Sequence, residues 1–145
     1  SSDRLPGMQG AIGIHHLGIA VADLDAAAAR YAQLIGAVVD HASESEALGT
    51  RALAITTPQG PMIELVAPFG DDTPVGRFIA KRGEGMHHVA YEVGDIEAEV
   101  ARLVAEGVEM IDERPRAGLF GLEVAFIHPD AVMGVLLELV QPGGH

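Results

Sequence analysis

Cysteine and tryptophan are both absent from the 145 residues of this chain. Without cysteine there are no disulfides and no thiolate ligands, which leaves histidine, carboxylate and glutamine to hold any metal. Aromatic residues make up only 4%, so the core must be built from Val, Leu, Ile and Ala, which the 48% apolar content supplies. Basic residues are scarce: 9 Lys and Arg against 21 Asp and Glu, a net charge of −12. A nucleic-acid duplex or an anionic membrane surface would be repelled on average, which argues against both as partners. An anionic small molecule would need a local basic patch, and the candidates are Arg77, Lys81 and Arg82, then Arg114 and Arg116. Long apolar runs are missing too, as is a signal-peptide pattern. With no cysteine, a cytoplasmic location is expected.

What the chain does have is a repeat. Gly13–Arg30 (GIHHLGIAVADLDAAAAR) and Gly85–Arg102 (GMHHVAYEVGDIEAEVAR) align without gaps, with 8 of 18 positions identical. A second pair, MIELVAP at Met62–Pro68 and LLELVQP at Leu136–Pro142, closes each copy. The offsets are 72 and 74 residues. Two copies of a histidine-then-glutamate unit can bring two His and two Glu to one pseudo-twofold centre, a ligand set suited to a divalent metal.

The patterning predicts βαβββ in each copy. Ile14–Val21 alternates with period two, placing Leu17, Ile19 and Val21 on one face and His16, Gly18 and Ala20 on the other. Asp23 reads as a helix N-cap and Gly36 as its stop. Strands are predicted at 37–41, 50–57 and 62–66, with Glu44, Ser45 and Glu46 in a polar connection. In the second copy the strands are 86–93, 108–112, 124–128 and 134–140, with a helix from Asp95 to the stop at Gly107. Thr73 and Pro74 open a short helix to Arg82. Pro115–Gly121 reads as a flexible loop. The expected organisation is a disordered tail at 1–10, then one α+β domain at 11–145. That domain is made of modules 12–68 and 85–142 joined by linker 69–84.

Alternation also places the candidate ligands. Glu64 lies opposite Ile63 and Leu65, and Glu138 lies opposite Leu137 and Leu139. A carboxylate inside such a strand is costly to bury unless paired or metal-bound. His16 and His88 fall on the small-residue faces. His15 and His87 point the other way and are read as packing residues or as residues that support the ligands from behind. His41, His128 and His145 show no partner pattern.

The paired IHHLGIAV/MHHVAYEV and IELVAP/LELVQP motifs resemble the vicinal oxygen chelate superfamily. The blocks HHLGIAVADLDAA, IELVAPFGDDTPVGRFIAKRGEGMHHVAYEV and RAGLFGLEVAFIHP followed by GVLLELVQ are similar, within it, to the methylmalonyl-CoA epimerase family. The resemblance spans about Ile14–Pro142. It implies two βαβββ modules forming a curved, barrel-like sheet around one divalent metal (Co, Mn, Ni, Zn or Mg), with His16, Glu64, His88 and Glu138 as ligands. It further implies interconversion of the (2R) and (2S) forms of methylmalonyl-CoA by α-proton abstraction through a metal-stabilised enolate. A homodimer is expected.

Two positions depart from the pattern. Ala52 stands where some members carry a glutamate proposed as a base, and Asp130 follows His128-Pro129 where lysine is frequent. Glu138, a carboxylate at the edge of the implied metal, is the first candidate for the catalytic base, and with alanine at position 52 Glu46 is the second. Arg116 and Lys81, with Gly118 and Gly121 of the loop, are the candidate substrate-binding residues. The alternatives are a glyoxalase I (lactoylglutathione lyase), an epimerase homologue for another acyl-CoA or a natural-product intermediate, and a non-catalytic ligand-binding protein of the same fold. A ring-cleaving dioxygenase would use two His and one Glu and leave Glu64 without a role.

Overall fold

The computed structural model describes residues 9–143. The expected tail lies largely outside them, but Gly10 is anchored: its amide donates to Glu99 Oε2 at 3.0 Å. The described residues form two compact units. One comprises His16–His87; the other comprises residues up to His15 together with His88 onward. The division therefore runs through two strands rather than through the 69–84 segment. Among the described residues no helix is long and apolar enough to cross a membrane.

In the His16–His87 unit the strands run in the order β2 (Val38–Ser45), β3 (Thr50–Thr56), β4 (Met62–Pro68) and β1 (Ala11–Ala20, of which residues 16–20 belong here). β2–β3–β4 is an antiparallel meander, and β4 pairs β1 in parallel. A parallel pair needs a crossover, and α1 (Leu24–Ile35) begins it. Asp23 caps α1 by accepting from the Ala26 amide, and Gly36 ends it in the left-handed region at φ 70°. Leu24, Ala27, Ala28 and Tyr31 of α1 pack on Val21, Ala37, Ile55 and Leu65. The helix itself buries no residue fully. After β4, Thr73 accepts from the Gly76 amide and Pro74 sits in the first turn of α2 (Pro74–Arg82), as the sequence predicts.

The second unit repeats the plan. β5 (Gly85–Val93, from His88 onward), β8 (Leu137–Pro142), β7 (Leu122–Ile127) and β6 (Arg116–Ala117) are neighbours in that order. β5 pairs β8 in parallel, and β8–β7–β6 is antiparallel. Ile96 and Val100 of α3 (Ile96–Ala105) pack on Val93, Ala125, Ile127 and Leu139. Asp95 caps α3, and Gln141 reinforces that end: its Oε1 accepts from the Ile96 amide while its Nε2 donates to the Gly94 carbonyl.

Three expectations need correction. β2 extends to Ser45, so Glu44 and Ser45 are strand residues. Glu44 stands directly opposite Arg51, and this pairing of opposite charges suits an exposed ladder. No strand forms over Val108–Asp112; Met110 makes one bridge to Ile127. There the Ile111 and Asp112 amides both donate to the Phe126 carbonyl, and the Asp112 carboxylate takes the Phe126 amide. The bonds converge on one residue, so the ladder cannot propagate. Finally, Pro115–Gly121 is not a bare loop. Arg116–Ala117 pairs β7, Leu119–Gly121 forms a 3-10 turn, and Gly118 donates to the Leu122 carbonyl.

Candidate active site

Each unit buries one histidine–glutamate pair on the sheet face opposite its helix. In the first, register pairs Gly18 of β1 with Glu64 of β4, and His16 is two residues before Gly18. The side chains meet diagonally, His16 Nε2 to Glu64 Oε2 at 3.4 Å. In the second, Ala90 of β5 pairs Glu138 of β8, and His88 is two residues before Ala90. His88 Nε2 lies 3.2 Å from Glu138 Oε1. The same step of register produces both contacts. Gly18 and Ala90, opposite the glutamates, leave the space into which the imidazoles lean. All four side chains are buried: His16 0%, Glu64 4%, His88 5% and Glu138 6% exposed.

The surroundings are apolar. Around Glu64 lie Ala20, Ala52, Ala54 and Val66 on the same face. Around Glu138 lie Ala90, Val124 and Val140, with Phe126 set edge-on to His88 at 5.9 Å between ring centroids. A buried carboxylate in such a setting requires a compensating partner. The donor set fits the implied metal: imidazole nitrogens and carboxylate oxygens are the ligands that borderline and hard divalent ions take.

The other expected residues are placed as follows. Arg116 is half exposed; its Nε bonds Asp112 Oδ1 at 3.1 Å, and its guanidinium lies 6.0 Å from the Phe126 ring centre. Arg116 is thus tied to His88 through the shared Phe126. Gly118 sits tightly on Val124, where an added Cβ would come within 2.6 Å of Val124 Cγ1. Gly121 is left-handed at φ 72°. Lys81 is exposed in the last turn of α2. Glu46 is exposed in the β2–β3 turn, its carbonyl accepting from the Gly49 amide. Of the flanking histidines, His87 stacks edge-on against Phe78 at 4.8 Å, the packing role expected of it.

Two histidines read from sequence as partnerless do have partners. His41 Nδ1 contacts Asp40 Oδ2 at 2.9 Å, and His128 lies 3.8 Å from both Glu109 and Asp130. His145 lies outside the described residues. Glu99 was not singled out at all. It is buried, accepting from Gly10 and from Arg102 Nη2 at 3.0 Å. Hydrogen bonding to Glu99 is the main reason the Arg102 pKa is held above its ordinary value.

The profile of the glyoxalase/bleomycin resistance protein/dioxygenase superfamily matches residues 15–126. This chain belongs to that superfamily. An ethylmalonyl-CoA/methylmalonyl-CoA epimerase of Cereibacter sphaeroides is 38% identical over 88% of this chain and 96% of its own length. Among solved structures, a glutamate-to-glutamine variant of Streptomyces coelicolor methylmalonyl-CoA epimerase, bound to 2-nitronate-propionyl-CoA, aligns with a TM-score of 0.88. It shares 34% identity over 93% of this chain and all of that one. A methylmalonyl-CoA epimerase in complex with methylmalonyl-CoA and ammonium aligns at TM-score 0.87 and 35% identity, covering 93% and 97%. The α+β, glyoxalase-like fold expected from the repeated motifs is therefore the fold of the chain.

Proposed function

We propose that this protein is an epimerase that inverts the α-carbon of methylmalonyl-CoA by removing and returning its α-proton. The observation that carries the reading is the duplicated diagonal of buried His–Glu pairs, in a chain whose relatives of matching length are epimerases of such thioesters. His16, Glu64, His88 and Glu138 would together hold one divalent ion. That ion would supply Lewis-acid stabilisation of negative charge developing on the thioester oxygen, worth several kcal/mol.

The remaining chemistry belongs to the chain. The α-carbon lies between a thioester and a carboxylate, so its C–H bond breaks with the electron pair passing to the thioester oxygen. Glu138, a carboxylate on the edge of the ligand set, accepts that proton. Carbon becomes planar, and a proton delivered to the opposite face completes the inversion. The apolar surround of Ala90, Val124, Val140 and Phe126 excludes bulk water from Glu138 and keeps the carbanion from random quenching. Arg116, with Lys81, balances the coenzyme's phosphates, and Gly118 and Gly121 let backbone approach the substrate. The assembly is a homodimer, for which exposed Leu34, Ile35, Val38 and Val39 offer an apolar surface.

Proton NMR of racemic methylmalonyl-CoA with enzyme in deuterated water tests the reading. Washout of the α-proton at catalytic enzyme concentration is expected. Full retention of that proton with metal-loaded protein would refute it.

A further inference from the structure

Arg116 stands on the same sheet face as Glu138. It pairs Val124, which pairs Val140, and the adjacent row is Phe126–Glu138. Residues paired across a sheet share a face, so Arg116, Val124, Phe126, Glu138 and Val140 present their side chains to one side. From Arg116 to Glu138 is two strand spacings across and two residues along, about 12 Å between backbones. Phe126 lies in the interval. Its ring centre is 6.0 Å from the Arg116 guanidinium and 5.9 Å from the centre of the His88 ring.

Asp112 holds Arg116 in that place. The two are four residues apart with no helix between them. Each carboxylate oxygen of Asp112 has its own partner: Oδ1 takes Arg116 Nε at 3.1 Å, and Oδ2 accepts from the Phe126 amide at 2.9 Å. The Asp112 amide donates in turn to the Phe126 carbonyl at 3.1 Å. The carboxylate thus ties a side chain of β6 to the backbone of β7. It is also sheltered, its side chain 14% exposed against 44% for Arg116. An ordinary surface ion pair has neither a second fixed partner nor that shelter.

Pairing through Nε leaves the rest of the guanidinium unused. Neither Nη group of Arg116 has a partner among the described residues. Four N–H donors in one rigid plane remain, the geometry that grips a carboxylate or phosphate through two parallel bonds. A freely rotating arginine loses rotamer entropy when it binds an anion. One already held by Asp112 has lost it beforehand.

We infer that Asp112 is a positioning residue for substrate binding, aiming Arg116 at an anionic group of the acyl-CoA. The inference rests on the epimerase reading above, in which Arg116 meets the coenzyme's phosphates. Charge alone predicts the opposite. Asp112 is a negative charge beside the cation, so its removal would strengthen the hold on an anion. Positioning requires that its removal weaken that hold. The sign of one substitution separates the two.

That substitution is Asp112→Asn. The carboxamide oxygen can still take the Phe126 amide, while its NH2 meets Arg116 Nε–H donor against donor. In the metal-loaded enzyme the variant should raise the KM for methylmalonyl-CoA about 3- to 10-fold, with kcat, metal content and melting temperature near wild type. Affinity for 2-nitronate-propionyl-CoA, measured by calorimetry, should fall by the same factor. Arg116→Ala should raise KM at least as much, and adding Asp112→Asn to it should change nothing more, because the two residues act as one. In ¹⁵N-arginine-labelled protein the Arg116 Nε–H signal should exchange slowly in wild type and fast in Asp112→Asn. Unchanged or tighter binding in Asp112→Asn would overturn the inference, as would full additivity with Arg116→Ala or a wild-type KM in Arg116→Ala. A lower melting temperature with unchanged KM would make Asp112 structural only and also overturn it. Wild-type enzyme that binds the analogue but washes out no α-proton would sink the epimerase reading instead, and the affinity measurements would still decide for or against Asp112.

Discussion

His88 reaches Glu138 across one diagonal of the β5–β8 ladder, 3.2 Å from Nε2 to Oε1. His16 and Glu64 repeat the step on β1–β4. The relation follows from parallel register alone: each histidine precedes by two residues the small residue that faces the glutamate. A parallel pair cannot slip by one residue without sending every side chain to the other face. The packing of Leu65 and Leu139 against the helices therefore also fixes the orientation of Glu64 and Glu138.

Replacing His88 by Ala should remove most of the bound metal, measured by elemental analysis after dialysis. It should also lower the melting temperature by several degrees, since Glu138 loses a buried partner at about 1–3 kcal/mol. A full equivalent of metal in that variant would exclude His88 as a ligand. In the wild type, acidification should weaken metal binding. Protons compete for the same imidazole and carboxylate lone pairs, so affinity falls as pH falls and not the reverse.

Glu138→Gln separates binding from proton transfer. Glutamine can still offer an oxygen to a metal but cannot accept a proton at neutral pH. Turnover should drop by about 100-fold or more while metal content changes little. Parallel loss of both would make Glu138 a ligand only.

Much of this site was legible in the sequence, because duplicated motifs carry their own control. An isolated Glu64 flanked by Ile63 and Leu65 is ambiguous, but the same pattern at Glu138 points to one buried role. Helix ends were equally legible, since Asp23, Thr73 and Asp95 each cap through a local bond three residues on. The bulge in β2 that brings Asp40 beside His41 was not legible. A bulge is a property of two paired strands, and nothing local to VVDHAS announces which residue β3 will skip. The second copy's missing strand at Val108–Asp112 was hidden for a similar reason. Val108, Met110 and Ile111 suit a strand, but the bonds to Phe126 that stop the ladder come from a distant segment. Glu99 drew no attention in the sequence because its partners, Gly10 and Arg102, include one 89 residues away.

Glu99→Ala should therefore cost more than an ordinary helix-surface change. It strips the acceptor from the Gly10 amide and from Arg102, whose guanidinium stays charged without its principal partner. A loss of about 1–3 kcal/mol by urea unfolding is expected, against about 0.5 kcal/mol or less for a surface site. Hydrogen exchange at Gly10 should accelerate at the same time. An unchanged midpoint would show that the buried carboxylate contributes nothing net.

Arg116→Glu tests the coenzyme patch. Arg116 lies over Phe126 and bonds Asp112, so the guanidinium is held in place before substrate arrives. Reversing its charge beside Asp112 should raise the apparent KM for methylmalonyl-CoA more than it lowers kcat, because the lost contact is equally strong in ground and transition states. The rise should shrink with added salt, since screening weakens an exposed charge contact. An unchanged KM at low ionic strength would place the phosphates elsewhere.

Gly76 offers the sharpest packing test. It lies in the first turn of α2, where its amide donates to Thr73 Oγ1. A Cβ there would stand 2.3 Å from the Gly70 carbonyl oxygen and 2.8 Å from that of Asp71. Both obstacles are backbone, and Thr73 Oγ1 itself bonds the Gly70 carbonyl at 2.8 Å, so the segment cannot swing aside without breaking the cap. Gly→Ala inside a helix ordinarily stabilises by roughly 0.5–1 kcal/mol. At Gly76 the sign should invert: the collision and the lost Thr73 cap together should cost about 1–3 kcal/mol, read as a lower urea midpoint. The control is Gly13→Ala, where nothing lies within 4 Å of the added carbon and little change is expected. Equal stability of the two variants would mean that the Gly70–Thr73 turn yields to the methyl group, and that close approach is not why glycine occupies position 76.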